Sequence, residues 1–117
     1  MGQPVAMFEI VSPDLERAQR FYSSLFDWKI DADPSMGGYG LVDASAEGSL
    51  PGGIGPSMTP GDAGVKVYVR VDDLAAYLDR AEQLGGRRLV EPTELPGDYG
   101  WFAVFADPDG NQVGLWA

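Results

Sequence analysis

Apolar residues alternate along some stretches of this chain and recur at helical spacing along others. Val65, Val67, Val69 and Val71 alternate with Lys66, Tyr68 and Arg70, which predicts a strand with a β-branched face over residues 65–71. Leu74, Tyr77, Leu78, Ala81 and Leu84 then recur at the spacing of an amphipathic helix. Asp72 or Asp73 caps that helix, and Gly85-Gly86 ends it, since glycine readily takes the left-handed cap conformation. Residues 88–91, 101–106 and 113–116 read as further strands, with Asp107-Pro108-Asp109-Gly110-Asn111 as a turn between the last two. The first half has the same order. Residues 5–10 predict a strand with Phe8 and Ile10 on one face, Met7 and Glu9 on the other. Pro13-Asp14 starts a helix whose stripe is Leu15, Ala18, Phe21, Tyr22 and Leu25, ending near Phe26. Its aromatic residues Phe21, Tyr22 and Phe26, like Tyr77 later, are expected in the core. Strands follow at 28–32 and 39–44, broken by Asp33-Pro34-Ser35. The Gly- and Pro-rich stretch 48–64 holds a short strand near Gly53-Ile54 and then a linker.

Two landmarks occur twice. Gly37-Gly38-Tyr39-Gly40 returns as Gly97-Asp98-Tyr99-Gly100, a spacing of 60 residues, and Asp14-Leu15 returns as Asp73-Leu74, a spacing of 59. The repeat predicts a tandem duplication of a strand-helix-strand-strand-strand module, about residues 5–58 and 65–117. Each helix lays its stripe on one face of its sheet, and the opposite face is free to line a groove.

Composition narrows the chemistry. At 117 residues, 44% hydrophobic, the chain predicts a single domain that folds unaided. No apolar run approaches the roughly 20 residues of a membrane-spanning helix. Met1-Gly2-Gln3-Pro4 lacks the basic and apolar regions of a secretory signal, so a cytoplasmic location is expected. The chain has no cysteine, which removes disulfides, thiolate metal sites and thiol nucleophiles. Nor does it have histidine, so a Ser-His-Asp triad and the commonest metal ligand are absent. With 18 acidic against 8 basic residues the net charge is −10, which argues against nucleic acid as a partner and tilts any ligand toward a cation.

The order of these elements resembles the vicinal oxygen chelate superfamily, which includes glyoxalase I, extradiol dioxygenases and bleomycin-resistance proteins. The residues that carry the resemblance are Met7-Phe8-Glu9-Ile10 with residues 13–18 and Phe21-Tyr22, then residues 69–74 and 81–86, and finally residues 105–111 with Gly114-Leu115. The resemblance implies an α+β fold of two βαβββ modules in a curved, U-shaped mixed sheet around a cleft, one helix per module outside, and often a homodimer. It also places the metal ligands of the superfamily's enzymes at Met7, near Gly53, at Lys66 and at Gly114. A thioether, an ammonium group and glycines are poor partners for a hard divalent ion, so neither a metal nor another cofactor is expected.

Strand alternation puts Met7 and Glu9, Lys66, Tyr68 and Arg70, and Gln112, Gly114 and Trp116 on groove-facing positions, with Arg70 near the surface. Phe102 and Val104 join them by the resemblance. The expected ligand site is therefore Met7, Glu9, Lys66, Tyr68, Phe102, Val104, Gly114 and Trp116, suited to a planar, partly polar small molecule. Glu9 as a general base and Lys66 as a nucleophile are weaker alternatives, and whether a reaction is catalysed stays open. Two other classes compete with metal-independent binding: a lyase- or dioxygenase-like enzyme with an atypical carboxylate metal site, and a structural dimer with a vestigial groove.

Overall fold

A computed structural model describes residues 2–57 and 64–117. The end of the first expected module and part of the expected linker lie outside the described residues. The elements run β1 (Val5–Val11), α1 (Leu15–Phe26), β2 (Ile30–Asp33), β3 (Tyr39–Val42), β4 (Gly52–Gly55), β5 (Gly64–Arg70), α2 (Leu74–Gln83), β6 (Arg87–Glu94), β7 (Trp101–Ala106) and β8 (Gln112–Trp116). A single 3₁₀ turn, Pro34–Met36, separates β2 from β3.

The chain forms two compact units, Met7–Val65 and Lys66–Ala117 together with Met1–Ala6. In the N-terminal unit β2 pairs antiparallel with β3, β3 antiparallel with β4, and β4 parallel with β1. In the C-terminal unit β6 pairs antiparallel with β7, β7 antiparallel with β8, and β8 parallel with β5. Both units are thus βαβββ modules with the same wiring, and the fold is α+β with mixed sheets.

Local chemistry explains the shared wiring. Each helix starts on an aspartate: Asp14 accepts from the Arg17 amide at 3.1 Å, and Asp73 from the Ala76 amide at 3.1 Å. Each cap satisfies a backbone N–H that has no partner within its helix. Of the two candidates for the second cap, Asp73 is the one used. The turns before β3 and β7 both need two successive left-handed residues, Gly37 and Gly38 in one, Gly97 and Asp98 in the other.

Three strands differ from the sequence reading by two residues or more at one end. The second starts at Ile30 rather than Trp28, because the Trp28 ring packs on Phe8 and Phe26, with centroids at 5.5 and 5.2 Å. The third stops at Val42 instead of Ala44. β6 runs well past residues 88–91, to Glu94; the second of its two register shifts, between Val90 and Thr93, accommodates Pro92, which has no N–H for the ladder.

The burial patterns bring larger corrections. In α1 no residue is fully buried, and Phe21, Leu25 and Phe26 are exposed, Phe21 at 58%. The expected stripe is rotated. Gln19 faces β3, where its amide donates to the Gly38 carbonyl at 3.0 Å, and a Cβ at Gly40 would sit 2.6 Å from the Gln19 amide. With Gln19 inward, Phe21 and Leu25 turn outward. Along β5 the valine face is buried only at its C-terminal end. Val69 and Val71 pack with Leu74, Leu78, Ala103 and Leu115, whereas Val65 and Val67 are exposed beyond the reach of α2. At the surface of the C-terminal unit, Arg88 of β6 binds Asp79, Glu82 and Glu91, tying β6 to α2; the Glu82 and Asp79 hydrogen bonds hold its guanidinium above its usual pKa.

Candidate functional site

In each unit the parallel strand pair carries the chemistry on the face away from its helix. Phe8 points toward Trp28, so Glu9, its neighbour on β1, points the other way. Glu9 is 95% buried, with 5% exposure, and its Oε2 accepts from the Tyr39 hydroxyl at 2.6 Å. Glu9 pairs in register with Gly53 of β4. The Tyr39 ring lies across Gly53 and Gly55, and a Cβ at either glycine would collide with it. Met7, half-buried, precedes Glu9 on the same strand face.

The C-terminal unit repeats the backbone of this arrangement with different side chains. Tyr68 of β5 pairs in register with Gly114 of β8, and a Cβ at Gly114 would collide with the Tyr68 ring. Lys66 and Tyr68 are buried, with the Lys66 Nζ 5.9 Å from the ring centroid, at the outer limit of a cation–π contact. Phe102 and Val104 are buried in β7, opposite Trp116 and Gly114 respectively. Lys66, Tyr68, Phe102, Val104 and Gly114 are therefore gathered on one strand face, as expected. Met7 and Glu9 occupy the matching positions of the other unit.

Trp116 is less available than the sequence suggested. Its indole N–H donates to the Tyr99 carbonyl at 2.7 Å, and the Arg70 guanidinium stacks on its ring at 4.3 Å. The residue holds the turn before β7 and carries Arg70 on one face. Arg70 is exposed at the strand end, where a surface residue was expected. Gln112 is half-buried at the start of β8.

Register also corrects the apparent repeat. Leu41 pairs with Gly53, and Val104 with Gly114. The residue two places before each is Tyr39 in one unit and Phe102 in the other, so Phe102 is the counterpart of Tyr39. Tyr99 falls in the turn. Sequence reasoning named Phe102 but missed Tyr39. Its signal was present: it stands two residues before Leu41, at the start of a strand the sequence reading places at 39–44.

The residues at the superfamily's metal positions do not fit a metal. Met7 and Lys66 offer a thioether and an ammonium group. At Gly53 and Gly114 the space a ligand side chain would need is filled by the Tyr39 and Tyr68 rings. Among the described residues no three His, Cys, Asp or Glu side chains gather into a metal-holding group. The polar groups buried on these faces are the Glu9 carboxyl bonded to the Tyr39 hydroxyl and the Lys66 amine near the Tyr68 ring, beside apolar walls. None of the described helices is long and apolar enough to cross a membrane.

Comparison with known proteins agrees with this fold. The pattern of one family, described as a glyoxalase-like domain, matches residues 7–116. The chain is 32% identical over 113 residues to CFP32 of Mycobacterium bovis, covering 92% of this chain and 43% of that protein. It is 35% identical over 130 residues to the anthracycline biosynthesis protein DnrV of Streptomyces peucetius, covering 98% of this chain and 46% of that one. This chain thus spans less than half the length of both relatives. Among solved structures, a glyoxalase/bleomycin resistance protein/dioxygenase superfamily member from Vibrio splendidus 12B01 superposes with a TM-score of 0.62 at 16% identity, over 97% of each chain.

Proposed function

The chain belongs to the glyoxalase-like family, and from that premise we propose that it binds a planar, partly polar small molecule, with no resident metal, on the strand faces its helices leave uncovered. The observation that carries this reading is the pair of glycines covered by tyrosine rings. Where the superfamily's metalloenzymes carry ligand side chains, Gly53 lies under Tyr39 and Gly114 under Tyr68. Aromatic rings and buried polar groups there favour stacking and hydrogen bonding over metal coordination. In the N-terminal unit Met7, Glu9 and Tyr39 would contact ligand; in the C-terminal unit Lys66, Tyr68, Phe102, Val104 and Gly114 would, with Trp116 holding the adjoining turn. DnrV, named for the biosynthesis of a fused-ring aromatic product class, points to the same ligand shape. The reading includes a homodimer, a cytoplasmic location and no nucleic-acid partner.

The test is a thermal-shift and calorimetric titration with a hydroxylated anthraquinone and with cationic and neutral planar drugs. A ligand at 100 times its dissociation constant adds about 2.7 kcal/mol of stability. Tyr39→Phe, which removes the Glu9 hydrogen bond while keeping the ring over Gly53, should weaken binding, as should Glu9→Gln. Saturable binding indifferent to Glu9→Gln, Tyr39→Phe and Tyr68→Phe alike would overturn the assignment of these faces. Elemental analysis of purified protein should find no stoichiometric transition metal. About one metal per chain, lost on Glu9→Gln, would favour a lyase- or dioxygenase-like enzyme with a carboxylate site instead.

A further inference from the structure

The two units fill the space under their helices in opposite ways. In the N-terminal unit aromatic rings occupy it: Tyr22 stacks on Trp28 at 5.7 Å, Phe26 lies 5.2 Å from Trp28, and Phe8 lies 5.5 Å from it. Counting from the capping aspartates Asp14 and Asp73 gives the counterparts. Tyr22 and Ala81 both stand eight residues after their caps, and Phe26 and Gly85 both stand twelve after. Phe8 and Val67 both stand six before. Three rings are thus replaced by a methyl group, a hydrogen and an isopropyl group. In the C-terminal unit a pocket of about 350 Å³ lies beside Ala81, lined by Val69, Ala81, Leu84, Gly86, Phe105 and Leu115 among others.

From this contrast we infer that the C-terminal unit has a second binding site, on its helix side, for a neutral one- or two-ring aromatic molecule. The volume falls within the range of small-molecule pockets. Its walls are almost wholly apolar and it opens to solvent beside the exposed Leu84, so an apolar guest would remove that surface from water. Arg80 and Asp107 border the pocket, but the Asp107 carboxylate is already engaged by the Asn111 side chain and by the Asn111 and Asp109 amides. Almost none of the surface facing the pocket is polar, which suits a neutral guest, and the exposed Arg80 stands at its rim. Of the three replaced rings only that of Tyr22 has its counterpart, Ala81, in the pocket lining, and in the N-terminal unit the Tyr22 ring stacks on Trp28. This site lies on the sheet face opposite the one carrying Tyr68 and Gly114, and it stands on observations independent of the proposed function.

The experiment is a titration of ¹⁵N-labelled protein with indole, followed by amide chemical shifts. Saturable shifts centred on Ala81, Gly86, Phe105 and Leu115 are expected. Ala81→Phe restores a ring at the counterpart of Tyr22 and should abolish those shifts while melting at or above the wild-type temperature. Leu84→Ser, at a residue 66% exposed, should leave the fold intact and weaken indole binding. If Ala81→Phe fails to fold, the wild-type map and Leu84→Ser decide. Shifts confined to Tyr68, Val104 and Gly114, or no saturation up to the solubility of indole, would overturn this site and leave the sheet-face reading standing. A self-association that broadens the Ala81 and Leu84 amides and that indole does not reverse would also overturn it, by giving the pocket to a second copy of the chain.

Discussion

The N-terminal unit is held under its helix by rings, and the C-terminal unit by aliphatic side chains. α1 buries no residue completely and leans on the Phe8–Tyr22–Phe26–Trp28 aromatic group, whereas α2 buries Leu74 and Leu78 against Val71, Ala103 and Leu115. On the other sheet face the polar groups stand at different positions, and buried Lys66 of the C-terminal unit matches Met7 of the N-terminal one. Glu9 with Tyr39 occupies the positions that Tyr68 with Phe102 occupies in the second unit. What the units share is backbone: an aspartate cap, two left-handed residues before the third strand, and a parallel closing pair with a glycine under a tyrosine ring. Topology constrains the backbone devices, while side chains on either face are free to differ provided each space is filled or bounded by matching chemistry.

The comparison breaks first where one side chain is wholly buried and its counterpart is not. Leu78 and Gln19 both stand five residues after their caps. Leu78 is fully buried, with 0% exposure, and Leu78→Ala should cost about 2–5 kcal/mol from lost transfer energy and a cavity. Gln19→Ala loses one hydrogen bond to Gly38 and should cost about 1 kcal/mol. Denaturant unfolding of both variants reads the difference. Equal costs would mean that the two helices contribute alike and that the contrast in burial carries no energy.

Next come the paired glycines. Gly53→Ala and Gly114→Ala each force a methyl group into a tyrosine ring, at a cost of about 1–3 kcal/mol. Gly53→Ala should cost more, since displacing Tyr39 also disturbs its hydrogen bond to buried Glu9. A larger loss at Gly114 would show that apolar packing on β7 and β8, and not the Glu9–Tyr39 bond, is the stiffer restraint.

These sites also show what the sequence could and could not reveal. Both helices, their aspartate caps and β7 were legible, because a cap and a periodic stripe are local signals. The parity of Tyr68 and Gly114 was legible for the same reason, whereas Phe102 came from the resemblance, because both faces of its strand are apolar. The rotation of α1 was not: it turns on Gln19 meeting the Gly38 carbonyl, a contact between residues 19 apart in the chain. Tyr39 reads both as part of a repeated turn and as the start of a strand, but its reach to Glu9, 30 residues away in the chain, was not legible. Trp116 was legible as a strand residue facing away from α2, but its engagement by Tyr99 and Arg70 depends on register and a turn.

The caps should behave alike where the cores do not. Asp14→Ala and Asp73→Ala each remove a hydrogen bond of the same length to the third amide of the helix. Each should cost about 1 kcal/mol. Similar losses on thermal unfolding would confirm that the backbone devices of the two units are interchangeable. A difference above about 1 kcal/mol would place the caps with the side chains, as features in which the units differ.

The smallest effect concerns the turns that lead into each closing strand. In the N-terminal unit Asp43 accepts one backbone hydrogen bond, from the Ser45 amide at 2.8 Å. In the C-terminal unit Asp107 accepts from the Asn111 side chain at 3.0 Å, and from the Asn111 and Asp109 amides at 2.9 Å each. These bonds, the Asn111 side chain foremost, hold the Asp107 carboxyl below the usual carboxylate range. A depressed carboxyl binds fewer protons folded than unfolded across that range. Its stabilisation is therefore present in full above the ordinary carboxylate pKa and is lost as pH falls through the lower folded value. Asp107→Asn should melt below the wild type at neutral pH, and the gap should close on acidification below the carboxylate range. Asp43→Asn should show a smaller gap at neutral pH, because one bond stands where Asp107 has three. The group is at the surface, so the effect is modest and screening by salt reduces it further. Melting temperatures of the two variants and wild type across acid pH provide the check. A gap for Asp107→Asn that stays constant through the carboxylate range would show that the turn is held by shape rather than by charge.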